Sequence, residues 1–309
     1  MFKGLTVLRN SFLWMSQNRS LRRWMESSST AHALTSRFIA GLSLEDGISL
    51  AKTLGDQGIQ TALDHLGENV GTVQEAKAAG AAALGALSSL AQLSIGGTVA
   101  IKLTQLGLDL SMEEGIANLE PLVMLAKQAG TRVEVDMESS AYTDRTLQIV
   151  EAMHLKHGSI RAVIQAYLYR SEADVHRLNQ LGIPIRLCKG AYNESAVLAM
   201  AEKSEVDKAF LRLMRVLLED GKFPAIATHD PAILQQATAF AKEIDLSPSE
   251  FEFEMLYGVR RDLQQQIRQQ GFNLRLYVPY GEAWYPYFMR RLAERPANVW
   301  FLARNLLRS

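Results

Sequence analysis

The sequence predicts a single (β/α)8 barrel carrying an N-terminal helical extension, and three observations carry that expectation. From about residue 56 onward, short apolar β-prone runs alternate with longer stretches of helical period, the pattern of βα units that feed a parallel sheet. Eight such runs can be counted, the number that closes a barrel. A length of 309 residues suits one barrel plus an extension, which divides the chain into residues 1–55 and 56–309.

Taken in order, residues 1–25 carry Lys3, Arg9, Arg19, Arg22 and Arg23 and no acidic residue, interleaved with Phe2, Leu5, Phe12, Leu13, Trp14, Leu21 and Trp24. They read as a basic amphipathic helix, packed on the outside of the barrel or resting on a membrane surface. The expected strands are Ile59–Asp64, Thr98–Leu103, Arg132–Met137, Ala162–Tyr167, Ile183–Leu187, Ala225–Thr228, Phe251–Met255 and Leu274–Val278. Between them, Asp144–His157 spaces Leu147, Val150 and Met153 as one helical face and stops at Gly158. Gly130, Gly182 and Gly271 punctuate other helix-to-strand joints, and Ala76–Leu93 reads as a small-residue helix packed close to its neighbours. Tyr287–Glu294 closes the series as a helix.

Composition narrows the function classes. Apolar residues make up 48% and charged residues 21%, ordinary for a chain that buries a large core. The 33 basic and 33 acidic residues cancel, which leaves no global electrostatic footprint for nucleic acid and favours small-molecule partners. Cys188 is the single cysteine, so an internal disulfide and a multi-cysteine metal site are excluded, and a reducing cytoplasmic setting is expected. No run of eighteen apolar residues and no secretory signal pattern is present. His154 and His157 stand three apart at a helix end with no acidic ligand nearby, so no metal site is expected, and His65 is read as a loop anchor.

In such barrels the chemistry sits at the carboxyl ends of the strands. Reading those ends collects Lys102, Asp136, Gln165, Arg186, Lys189, Thr228, His229, Glu254 and Tyr277. Charged groups on core strands are costly unless paired or used; individual ion pairs explain one or two of them, and a polar pocket explains the set. The segment Arg186-Leu187-Cys188-Lys189-Gly190-Ala191-Tyr192 sets two cations and an aromatic around a glycine, an arrangement suited to an anionic or electron-rich ligand, although Gly190 could serve a turn and Lys189 the surface. Arg290 and Arg291 precede Glu294 by four and three residues, spacings that allow helical ion pairs and, near a barrel mouth, a carboxylate clamp. No two glycines stand two apart, so the dinucleotide fingerprint is absent and any nucleotide cofactor binds outside a Rossmann domain.

Together Val135-Asp136-Met137-Glu138, Gln165-Ala166-Tyr167, Arg186–Tyr192, Thr228-His229, Phe253-Glu254-Met255-Leu256-Tyr257-Gly258 and Arg290-Arg291-Leu292-Ala293-Glu294 resemble the proline dehydrogenase family, in the family's order. The resemblance runs from about Ile59 to Phe301 and is to the short monofunctional bacterial members. It implies L-proline as substrate and FAD as cofactor, with reoxidation by a membrane quinone. It also implies that Lys102, Arg290 and Arg291 bind the proline carboxylate while Tyr192, Leu256 and Tyr277 shape the pocket. Arg186 and Asp136 would be the catalytic pair, and Glu294 would orient the two arginines. Met137, Gln165, Arg186, Lys189, Gly190, Ala191, Thr228 and His229 would hold FAD. Two positions depart from the family pattern: Asp230 stands where asparagine is usual, and Glu254 where glutamine is more frequent.

The chemistry agrees with the residue types. A fixed cation such as Arg186 suits stabilisation of a reduced flavin, and Asp136 would favour positive charge on the substrate nitrogen or assist its deprotonation. A rival on the same fold is a Schiff-base aldolase, for which Lys102 and Lys189 are correctly placed.

Overall fold

The computed structural model describes residues 35–67 and 70–294, with side chains up to Met289. Eight strands form a closed parallel barrel in chain order: β1 (Gln60–His65), β2 (Thr98–Ile101), β3 (Val133–Val135), β4 (Ile160–Gln165), β5 (Ile185–Cys188), β6 (Ala225–Ala227), β7 (Glu252–Leu256) and β8 (Asn273–Tyr280), with β8 returning to β1. Every pairing is parallel, as crossover helices demand. The (β/α)8 expectation holds.

Helix α1 (Leu44–Gly55) precedes β1 and packs on β1 and β8 with Ala51 and Leu54 buried. Its start is fixed by a capping box in which Ser43 and Asp46 satisfy each other's backbone N–H. The crossover helices are α2 (Val73–Leu93), α3 (Met112–Gln128), α4 (Ser140–His157), α5 (Ser171–Gln180), α6 (Lys203–Asp220), α7 (Pro231–Glu243) and α8 (Arg261–Gln269), and α9 (Trp284–Glu294) follows β8. Among the described residues no helix is long and apolar enough to cross a membrane. The expected basic helix over residues 1–25 lies outside the described residues.

Strand period two divides the barrel wall into two chemistries. Val99, Ile101, Val133, Val135, Leu187, Phe253 and Leu276 belong to the large apolar cluster between strands and helices. Alternate positions carry Thr98, Glu134, Arg161, Arg186, Glu252, Glu254 and Arg275, and their side chains meet across the barrel axis. The barrel is therefore apolar outside and ionic within.

Several boundaries differ from the sequence expectation. β3 ends at Val135 and β2 at Ile101, so Asp136, Met137 and Lys102 stand in the following loops. β4 runs two residues earlier than expected, which puts Ala166 and Tyr167 in the turn after it. Helix α4 begins at Ser140, four residues before the amphipathic pattern starts. Gly130, Gly158, Gly182 and Gly271 do take positive φ at the joints where they were expected to punctuate. His157, expected without acidic neighbours, lies 2.6 Å from Glu120 of α3.

Helix α2 packs close on one side and loosely on another. A Cβ at Gly80 would sit 3.3 Å from the Asn118 Cβ, so glycine lets α2 and α3 approach. Toward the wall, the small side chains Ala79, Ala83 and Ala86 leave a recess of about 340 Å³ against Leu63, Val99 and Ile101 that opens to solvent beside Glu75 and Ala78.

Candidate active site

The amino-terminal floor of the barrel is an ion-paired plug. Arg161 of β4 reaches Glu252 of β7 and donates to Glu134 of β3 at 3.3 Å. Arg275 of β8 holds Glu252 through Nε at 3.0 Å and Nη2 at 3.2 Å, and its Nη1 donates to the Thr61 carbonyl at 3.0 Å. Thr98 adds a hydrogen bond to Glu134 at 3.0 Å. Burial alone would raise the Glu252 carboxyl, but Arg275 and Arg161 bring it down to about 2.

Arg186 sits on top of this plug and links it to the mouth. Its Nη1 donates to Glu134 at 2.9 Å and to Glu254 at 2.6 Å, while Nη2 reaches Asp136. Its guanidinium carbon lies 5.2 Å from the centre of the Tyr277 ring. Asp136 also accepts from the Tyr277 hydroxyl at 2.9 Å and lies 3.3 Å from the Lys102 ammonium. Lys102 in turn lies 3.5 Å from Asp64. Burial opposes ionisation of Asp136, yet Arg186, Lys102 and the Tyr277 hydroxyl hold it below the usual carboxylate range. Burial likewise opposes charge on Lys102, and Asp64 and Asp136 outweigh it, so the ammonium is held protonated.

The rim is tied together by side chains that cross between loops. Gln165 at the end of β4 donates to the carbonyls of Met137 and Glu138 and accepts from the Ala191 N–H at 3.2 Å. Glu138 accepts from the Thr104 hydroxyl at 2.6 Å and so fastens the loop after β3 to the loop carrying Lys102. Glu194 accepts from the backbone and hydroxyl of Ser140, closing the start of α4 where Ser139 makes no side-chain cap. Tyr192 stands two residues before this anchor and is 39% exposed at the mouth. After β6, the Thr228 hydroxyl accepts from the Asp230 N–H, and His229 Nε2 accepts from the Leu256 N–H at 2.9 Å, which leaves the ring proton on Nδ1.

Several residues singled out in the sequence converge: Asp136, Arg186, Lys102 and Tyr277 are in direct contact, and Gln165, Ala191, Met137, Thr228, His229 and Leu256 frame the same end. Lys189 is paired with Asp207 and, at 3.2 Å, with Asp230, and Asp230 also caps α7. The extra negative charge of Asp230 is therefore neutralised locally. Gly190 has φ 120°, and a Cβ there would lie 2.2 Å from the Tyr167 ring, so its close neighbour is that aromatic side chain. Arg290, Arg291 and Glu294 lie on α9, with their side chains outside the described residues.

Sequence reasoning gave no role to Asp64, Glu134 or Glu138. Glu134 was detectable, since it stands two residues before Asp136 and so on the same face of the strand. Asp64 was detectable as the last residue of an expected strand. Glu138 is a loop residue, and its grip on Thr104 has no local signature.

A closed parallel barrel with an ionic floor and titratable groups converging at its carboxyl mouth defines this chain as a (β/α)8 barrel of the enzyme type. The family model described as proline dehydrogenase matches residues 48–304, and the chain belongs to the proline dehydrogenase family. It is 36% identical over 302 residues to Proline dehydrogenase 1 of Bacillus subtilis (strain 168), covering 98% of this chain and 100% of that protein. It is 35% identical over 280 residues to the Proline dehydrogenase of Deinococcus radiodurans, covering 89% of this chain and 90% of that one. Among solved structures, proline utilization A from Bdellovibrio bacteriovorus, inactivated by N-propargylglycine, superposes with a TM-score of 0.78 at 25% identity. The match covers 85% of this chain and 33% of that one, so this chain spans about a third of that longer protein.

Proposed function

We propose that this chain oxidises L-proline to 1-pyrroline-5-carboxylate with FAD as hydride acceptor, the reduced flavin passing its electrons to a quinone. The observation that carries the reading is the cluster Lys102–Asp136–Arg186–Tyr277: two fixed cations on one ionised carboxylate, open to the barrel mouth. Family membership supports the substrate. The residues present fit a flavin, because Arg186, Ala191, Thr228 and His229 lie along the ends of the adjacent strands β5 and β6 and offer a permanent cation, backbone and hydroxyl groups and a neutral imidazole. The side-chain amide of Gln165 is already engaged by protein, so its part is to hold the loops that frame the cofactor. Bound there, a flavin supplies the two-electron acceptor.

This chain's own residues then bind, orient and stabilise. The Lys102 ammonium, kept charged, supplies one cation for the proline carboxylate, and Arg290 and Arg291 supply the others in this reading. Asp136, kept ionised, faces the ring nitrogen as a hydrogen-bond acceptor and counter-charge; its depressed proton affinity makes it a poor general base. Once the ring nitrogen has given its extra proton to solvent, its lone pair closes the C=N bond as hydride leaves the neighbouring carbon, and Asp136 favours the positive charge that develops. Arg186 offers its guanidinium to negative charge arriving on the cofactor. The Schiff-base reading requires a neutral lysine amine, and the two carboxylates around Lys102 oppose it.

The test is the absorbance spectrum of purified protein before and after anaerobic L-proline. Flavin bands that bleach on addition are expected. A colourless protein, or flavin that proline leaves oxidised, overturns the reading.

A further inference from the structure

Nine charged side chains meet inside the barrel: Lys102, Arg161, Arg186 and Arg275 against Asp64, Glu134, Asp136, Glu252 and Glu254. Among the described residues Arg132 also lies within electrostatic reach of Glu134 and Glu252, so the strain lies in how cation is shared rather than in the total, with three carboxyl groups crowded on the one guanidinium of Arg186 in so dry a place. Such a cluster relieves the crowding by keeping a proton on the carboxylate with the smallest share of cation.

The contacts single out one. Glu252 is held by two arginines, Glu134 by Arg161, Arg186 and the Thr98 hydroxyl, and Asp136 by a guanidinium, an ammonium and a phenol. Asp64 shares Lys102 with Asp136 alone, one cation between two, although its Oδ1 too is buried without a hydrogen bond. Glu254 touches only Arg186, which it shares with Glu134 and Asp136, and its Oε2 is buried with no hydrogen-bond partner. We propose that Glu254 is a neutral carboxylic acid at working pH, and that its proton preserves the positive charge Arg186 presents to the mouth.

The groups around Glu254 act consistently. Burial pushes its carboxyl up to about 8, with Arg186 and Arg161 opposing and Glu134 and Glu252 reinforcing. From β8, Arg275 also feels its charge, and from β5 the Cys188 thiol is itself raised by burial to about 12 and stays neutral. From β6 comes only the Thr228 N–H, bonded to the Glu254 backbone carbonyl. Once Glu254 ionises, a third full negative charge joins Glu134 and Asp136 on one guanidinium. The proton assignment stands on the barrel's own groups, and its effect on electron acceptance rests on the flavin reading above.

The experiment compares wild type with Glu254→Gln. Between the ordinary value of 4.5 and about 8, folded Glu254 holds a proton that the unfolded chain has released. Wild-type stability therefore falls as pH rises through that window, whereas the glutamine variant carries no such loss. In flavin-free protein, the folded-to-unfolded ratio of wild type should drop relative to the variant by up to about tenfold per pH unit from 5 to 8. Infrared spectra of wild type should show a buried carboxylic-acid carbonyl band that shifts in D2O and fades above pH 8. In the holoenzyme, the wild-type flavin potential should turn more negative than the variant's above that pH. Parallel stability curves together with no such carbonyl band overturn the inference. Absent flavin would cost the potentials alone, so failure of the functional reading is distinguishable.

Discussion

Arg186 serves two masters, the ionic floor beneath it and the mouth above it, and substitutions there separate the two. Arg186→Lys keeps a charge but cannot reach Glu134, Glu254 and Asp136 together in the geometry of a planar fork. Arg186→Met leaves the Glu134 and Asp136 carboxylates and the Glu254 carboxyl without their shared guanidinium, a loss of about 3–5 kcal/mol by analogy with broken buried pairs. We expect the lysine variant to fold with turnover at least about tenfold lower and KM little changed, and the methionine variant to melt well below wild type. Reductive half-reaction rates and thermal melts on the same proteins check this; a lysine variant with wild-type turnover would show that Arg186 only braces the barrel. The pair Arg186 and Asp136 was legible in the sequence because both are charged residues next to strand ends. Glu134, which Arg186 also holds, was passed over because the strand ends drew the reading while the alternating inward face extends deeper; Asp64, the partner of Lys102, stood at a strand end and was legible by the same rule.

The loop between β5 and α6 shows how elements position the site. Its carboxylate Glu194 takes over the capping of α4, and Gln165 grips its Ala191 N–H, so Tyr192 is held between two anchors. Glu194→Ala should cost about 1 kcal/mol as a lost helix cap, and should raise KM for proline several-fold while turnover at saturation changes less. Steady-state kinetics beside a melting curve test it, and an unchanged KM would mean that the loop is positioned without Glu194. At this scale the sequence was a good guide to existence and order and a poorer one to limits. All eight strands were found because apolar β-prone runs recur between helical stretches. Ends were misjudged where an apolar run continues into a turn, as at Ala166-Tyr167, or where a helix starts on polar residues, as at Ser140. The cap of that helix comes from residue 194, which no local pattern encodes.

For the molecule as a whole, the ionic interior is both a stabilising device and an acid-sensitive one. Glu252→Gln would leave Arg161 and Arg275 without their shared carboxylate and should cost about 3–5 kcal/mol near neutrality. Because the folded carboxyl lies at about 2 against an ordinary 4.5, its contribution is complete above pH 4.5 and disappears as pH falls toward 2. Wild type and variant should therefore differ most at neutral pH and converge in acid, as denaturant titrations across that range would reveal; a constant difference would place the stability of the floor elsewhere. The same interior sets how the molecule answers to compression. When it unfolds, ions that were paired in a dry barrel acquire hydration shells, and water around a bare charge occupies less volume than bulk water. This change shrinks the system, so hydrostatic pressure should unfold this barrel more readily than one of equal thermal stability filled with close-packed aliphatic side chains.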